Sequence, residues 1–183
     1  MSAFEFSELS TERLRLRLPR ADDAGQLLAL YGDPEVMRHW SHAPWAALGQ
    51  ARAAIAEAHL DLSLGRALHL AIESRADGSL AGSCALYDVV PEHRRATVGY
   101  LLGAPYWGQG LAREALRGLI GHGFGALGLQ RIEAEVVPQN FVSQSLLTRM
   151  GFRREGRMHG RWRVGGRPRD VDLWALLHED WLA

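Results

Sequence analysis

The sequence predicts one mixed α/β domain, on three observations. Arg13-Leu-Arg-Leu-Arg-Leu18 alternates strictly, the period of a half-buried strand. Three more strand-like runs, 67–73, 80–90 and 95–102, follow one another with turn residues between them. The last of these ends in Val98-Gly-Tyr-Leu-Leu102. The chain then passes through Trp107-Gly-Gln-Gly-Leu-Ala112 into a segment with apolar residues at helical spacing, Leu111, Ala115, Leu116, Leu119, Ile120 and Phe124.

The composition fits one globular domain over all 183 residues. Hydrophobic residues make up 47% and charged residues 23%, with a formal net charge of +0. No global field draws the chain to nucleic acid or membrane, and neither is expected as a partner. A lone cysteine, Cys84, excludes an internal disulfide framework and fits a reducing, cytoplasmic setting. Its neighbours Ala85 and Leu86 mark a buried strand residue, with nothing nearby to make a thiolate of it. No apolar run approaches the ~20 residues that span a bilayer, and the N-terminus has no signal-like apolar stretch.

Residues 1–10 read as a flexible lead-in. Pro19 stops the first strand, whose arginines read as a solvated face. Asp22 and Asp23 favour a helix start, with Leu27, Leu28 and Tyr31 buried, and Gly32-Asp33-Pro34 breaks that helix. His39-x-x-His42 has a metal-like spacing but no third ligand. Trp40 and Trp45 beside it read either as an aromatic wall for a substrate or as loop packing. A second helix covers 46–64 and ends at Gly65. Asp77-Gly78 marks a hairpin turn, and Pro91-Glu92-His93 the next connection. A strand at 131–137 precedes a helix capped by Asn140, with Val142, Leu146, Leu147 and Met150 buried and Gly151 at its end. A final hairpin runs 153–164 and 170–177 about Gly165-Gly166. Eight arginines crowd 149–169, which reads as a solvated face, or as contacts to an acidic partner or a phosphate.

The glycines at 108 and 110 sit where a strand hands over to a helix N-terminus, whose free N–H groups and dipole suit a phosphate. Strand, glycine turn, helix, strand, Asn140-x-x-Ser143 and Met150-Gly-Phe152 come in order. This order resembles the GNAT superfamily of acyl-CoA-dependent N-acetyltransferases, and within it the ribosomal-protein N-terminal (Rim-type) enzymes. Gly110-Leu111-Ala112 matches the end of the family's diphosphate loop, while Trp107 stands where an Arg or Gln is usual.

The resemblance implies a twisted, mostly antiparallel sheet of about six to seven strands with about four helices. It also implies central strands that part to admit coenzyme A, acetyl-CoA as cosubstrate, no metal, and a possible homodimer. Carried over residue by residue, the cofactor contacts fall on Leu101, Leu102, Trp107, Gln109, Gly110, Leu111, Ala112, Arg113, Asn140 and Ser143, and the arginine cluster adds Arg149 or Arg153 as a contact to the cofactor's ribose phosphate. The Leu102 N–H would polarise the thioester carbonyl. The tyrosine that many members carry seven residues after the asparagine is Leu147 here. Ser143, three residues after it, matches the proton donor of the Rim-type enzymes. Two glutamates of those enzymes fall on Thr97 and Trp162, which leaves Glu135, Glu92, His93 and His159 as candidate bases by residue type. An α-amine, with a pKa of ~8, needs less help than a lysine at ~10.4. A protein N-terminus is therefore the expected acceptor, with a small-molecule amine, or an acyl-CoA sensor without catalysis, as the alternatives.

Overall fold

The computed structural model describes residues 6–181. Its strands are β1 (Glu8–Ser10), β2 (Leu14–Arg17), β3 (Leu68–Ser74), β4 (Leu80–Val90), β5 (Arg95–Leu102), β6 (Arg131–Val136), β7 (Arg153–Val164) and β8 (Arg167–Leu177). Its helices are α1 (Ala24–Gly32), α2 (Leu48–Leu64), α3 (Leu111–Gly125) and α4 (Phe141–Arg149). The eight strands form one sheet, ordered β1-β2-β3-β4-β5-β6-β8-β7. Every neighbouring pair is antiparallel except β5 with β6.

Helices cover both faces. On one, Leu14, Leu16, Leu86 and Val98 of the strands meet Leu116, Leu119 and Ile120 of α3 and Leu147 of α4. On the other, Leu27 and Leu30 of α1 and Ala51 and Ile55 of α2 meet Ala71 and Leu101. Each fully buried leucine or isoleucine contributes about 1.5–3 kcal/mol.

The parallel pair shapes the middle of the sheet. β5 and β6 pair at Arg95–Arg131, Ala96–Ile132 and Thr97–Glu133 and nowhere beyond. Yet β5 stays joined to β4 as far as Leu102, and β6 to β8 as far as Val136. Each strand keeps its outer partner and loses its inner one, so the sheet opens as a V between them. The end of β5 is pressed onto β4: a Cβ on Gly82 would lie 2.1 Å from the Leu101 carbonyl oxygen, so only glycine fits there.

Four expectations are corrected. Residues 8–10 are not lead-in but the edge strand β1, paired with β2 through a turn that Thr11 closes by donating its N–H to Leu14 O; residues 1–5 lie outside the described residues. The β2 arginines are not all solvated. Arg17 is buried, its guanidinium donating to both Asp23 carboxylate oxygens at 2.7 and 2.9 Å and to Glu73 Oε2. Val142 is 82% exposed, because α4 turns Ser143 and Leu147 toward the sheet and leaves Val142 on its outer side. The last strand begins at Arg167 rather than at 170, since the turn closes tightly about Gly165-Gly166.

Candidate active site

The glycine turn comes first. A one-turn 3-10 helix at Ala104–Tyr106 carries the chain from β5 into an exposed loop, and Gly110 becomes the N-cap of α3. Gly108 and Gly110 have φ of +73° and +77°, which a side chain disfavours. A Cβ on Gly108 would meet nothing within 4 Å, so open space stands over the amides of the turn. The loop is anchored from behind. Glu114, in the first turn of α3, accepts from Thr11 Oγ1 at 2.6 Å, Arg13 N at 2.7 Å and Arg13 Nε at 2.7 Å. Arg13 also donates to Gln109 O at 2.9 Å. Burial alone would raise the Glu114 carboxyl, but these bonds outweigh it and hold it below its ordinary value. The backbone N–H groups at the head of a 15-residue helix, with no Cβ at 108 or 110, fit a diphosphate. Arg113 lies exposed beside them.

Trp107 is 44% exposed. Its indole N–H donates to Leu102 O at 2.7 Å, so it ties the loop to the end of β5. Leu101 and Leu102 are both buried, one on each face of the sheet.

Across the opening, Asn140 caps α4 by accepting the Ser143 N–H at 3.1 Å. The Ser143 side chain is buried, and its Oγ lies 2.5 Å from the phenol oxygen of Tyr100 on β5. This bond joins the two sides of the V. Burial pushes the Tyr100 phenol up to about 12 despite the bond to Ser143. Tyr100 escaped the sequence reading. Its signal was its position, on the core-facing side of the entering strand with Val98 and Leu102.

The opposite face of the V holds a polar cleft of about 420 Å³, lined by Asp88, Arg95, Thr97, Glu133, Glu135 and Arg161. Arg131, Glu133 and Glu135 alternate with the core residues of β6, and that alternation is what turns the two carboxylates into the cleft. Each is already held. Glu133 accepts from Arg95 Nη1 at 3.1 Å and Arg131 Nε at 2.7 Å. Glu135 Oε1 accepts from Arg161 Nε and Nη2 at 3.1 and 2.9 Å, and its Oε2 from the Trp162 indole at 2.9 Å. Trp162, at the position where the resemblance implies a glutamate, thus orients one. Burial, then the Glu135 and Asp88 charges, push the Tyr87 phenol upward.

Trp40 stands over this face, its ring edge 3.8 Å from where a Gly99 Cβ would be. Trp45 stacks on Tyr31 with centroids 4.2 Å apart, His42 extends the stack at 6.2 Å, and Tyr31 Oη shares a 2.6 Å hydrogen bond with Ser83 Oγ. The segment is fastened to the last hairpin by Arg169, which donates to Arg38 O at 2.9 Å. Burial, then Arg38 and Arg169, hold the His39 imidazole below its ordinary value. Among the described residues no three His, Cys, Asp or Glu come together as a metal site.

The other candidates lie apart. Arg149 is at the far end of α4 from Asn140. Arg153 pairs with Asp180, while Arg154 and Arg157 pair with Asp172. Glu92 and His93 are exposed on the β4–β5 connection, and His159 pairs with Asp170. Cys84 is buried, which pushes its thiol up to about 12. No helix among the described residues is long and apolar enough to cross a membrane.

Comparison with known proteins places the chain in a family. Residues 13–153 match the family described as the acetyltransferase (GNAT) domain. An uncharacterised N-acetyltransferase, p20 of Bacillus licheniformis, is 38% identical, with 94% of this chain and 97% of that one covered. The [ribosomal protein uS5]-alanine N-acetyltransferase of Escherichia coli is 31% identical, with 94% and 92% covered. The structure of Mycobacterium smegmatis RimJ in complex with CoA-disulfide superposes with a TM-score of 0.89 at 26% identity, over 98% of this chain and 91% of that one. The chain belongs to the GNAT family of acetyltransferases.

Proposed function

We propose that this N-acetyltransferase moves an acetyl group from acetyl-CoA to the α-amine of a polypeptide, by direct attack with both substrates bound. The single observation that carries the acceptor reading is the state of the cleft carboxylates. Glu133 and Glu135 are each occupied by arginine, and Glu135 by Trp162 as well. A polyamine with several positive charges needs a row of free carboxylates. Here only Asp88 is left among the cleft's carboxylates without an ion pair among the described residues. A single amine with a pKa of ~8 sheds its proton near neutral pH and needs no such row.

Acetyl-CoA supplies the acetyl group as a thioester. The amides of Gln109 to Arg113 would hold its diphosphate. Leu101 and Leu102, at the end of β5 that β6 leaves unpaired, would hold the arm, with the Leu102 N–H at the carbonyl. As the amine nitrogen bonds to the carbonyl carbon, the C–S bond breaks and sulfur takes its electron pair. Ser143 Oγ–H gives that sulfur a proton. Ser143 suits this role because it lies in the first turn of α4, where the helix dipole favours developing negative charge. The acetylated nitrogen sheds one proton, so the balance closes.

Thiol release tests the reading with three acceptors: a peptide with a free α-amine, the same peptide with that amine blocked and a lysine inside, and spermidine. The first is expected to turn over at least about tenfold faster than the others, in line with the pKa difference. Preference for spermidine would overturn the acceptor assignment, and no turnover on any amine would favour a CoA sensor.

A further inference from the structure

We propose that Tyr100 is a positioning residue for acetyl transfer: its phenol donates to Ser143 Oγ and so aims the serine's own proton into the gap between β5 and β6. This deepens the preceding reading and rests on Ser143 as the group that protonates the departing sulfur.

The geometry is direct. Tyr100 sits on β5 after the last residue that pairs with β6, and Ser143 sits in the first turn of the helix that follows β6. Their oxygens lie 2.5 Å apart across the opening. A serine hydroxyl offers one donor and two acceptor sites. Either oxygen could donate in this bond; the phenol is the more acidic hydroxyl and its oxygen the poorer acceptor, so Tyr100 takes the donor role. The Ser143 oxygen then serves as acceptor, and its hydrogen has no other partner among the described residues. The Ser143 N–H is fixed separately by Asn140, so backbone and side chain are each locked by one bond.

In the transfer step the amine nitrogen bonds to carbon, sulfur leaves with the electron pair, and the Ser143 proton moves to sulfur. The proton shed by the acetylated nitrogen restores the serine through solvent. Tyr100 ends as it began, a neutral phenol. Its part is to remove the freedom of a rotor that would otherwise spend most of its time aimed elsewhere.

The test uses the full chain with Tyr100→Phe, Ser143→Ala and both together. It reads kcat and KM from thiol release, acetyl-CoA affinity by calorimetry, and the melting temperature. Tyr100→Phe removes one oxygen and keeps the ring. The expected result is kcat lower by about fivefold to tenfold, the size of one neutral hydrogen bond, with acetyl-CoA affinity and melting temperature little changed. The double variant is expected to be no slower than Ser143→Ala alone, because Tyr100 acts only through the serine. An unchanged kcat in Tyr100→Phe overturns the proposal, as does a loss that multiplies in full with that of Ser143→Ala. If Ser143→Ala itself leaves kcat unchanged, the proton-donor reading falls and this inference falls with it. A lower melting temperature with unchanged kcat would mark the bond as structural and also overturn it.

Discussion

At the scale of single residues, the account stands on Ser143. Replacing it with alanine is expected to lower kcat by about 10²-fold, the lower end for a positioned proton donor, while acetyl-CoA affinity changes little. Steady-state thiol release with calorimetry beside it checks this, and an unchanged kcat removes Ser143 from the reaction. Ser143 was legible because Asn-x-x-Ser both caps a helix and matches a motif. Tyr100 was not, since an aromatic residue in an apolar strand reads as core until a distant partner is seen. Trp162 shows the same limit: its role depends on Glu135, 27 positions earlier in the chain. Arg17 was misread for a related reason. Alternation marks which residues share a face, but not that Asp23 and Glu73 wait on that face to enclose the charge. Arg17→Met would leave the buried Asp23 without its ion pair and Glu73 with Arg15 alone. The expected loss is about 3–5 kcal/mol in denaturant unfolding, and a loss under about 1 kcal/mol would contradict the enclosed network.

At the scale of elements, two make separable predictions. The first is the head of α3. Gly110 has φ of +77°, and a Cβ there would lie 3.7 Å from Arg13 Nη2. Gly110→Val would strain the turn and set a branched side chain over the amides, so acetyl-CoA affinity is expected to fall at least about tenfold, from roughly 1–2 kcal/mol of backbone strain plus the lost approach. Intact affinity by calorimetry would count against the loop assignment. The second element is the β7–β8 hairpin. Asp172 is buried opposite Arg157 and accepts from Arg157 and Arg154 at 2.8 and 2.9 Å. Those hydrogen bonds hold its carboxyl down at about 2. Its folded value lies below the unfolded ~3.9, so its contribution is whole above about pH 4–5 and fades as pH falls toward 2. Stability measured from pH 6 down to pH 2 is expected to fall less steeply in Asp172→Asn than in the natural chain. Equal slopes would show that the pair carries no linkage. The hairpin itself was legible from its two glycines. How its arginines divide was not, because partners such as Asp180 and Glu135 lie on other elements.

At the scale of the whole molecule, the parting of β5 and β6 organises everything else. Outer partners hold each strand through its full length, while three residue pairs hold them to one another. The amides of residues 109–113, Ser143, Tyr100 and the cleft of Glu133 and Glu135 then gather around one opening, though they come from separate stretches of the chain. Alternation, turn residues and the strand–glycine–helix passage made most of the elements legible in the sequence. The opening was implied only by family resemblance, since local periodicity says nothing about where two strands stop pairing. The edge strand β1 was missed because three residues are too few to show a period. The most direct measurement is a crystal structure of the full chain with coenzyme A bound. The account predicts the diphosphate on the amides of residues 109–113 and the pantetheine arm between β5 and β6, ending beside Ser143. Coenzyme A bound elsewhere, or β5 and β6 joined along their whole length, would contradict it.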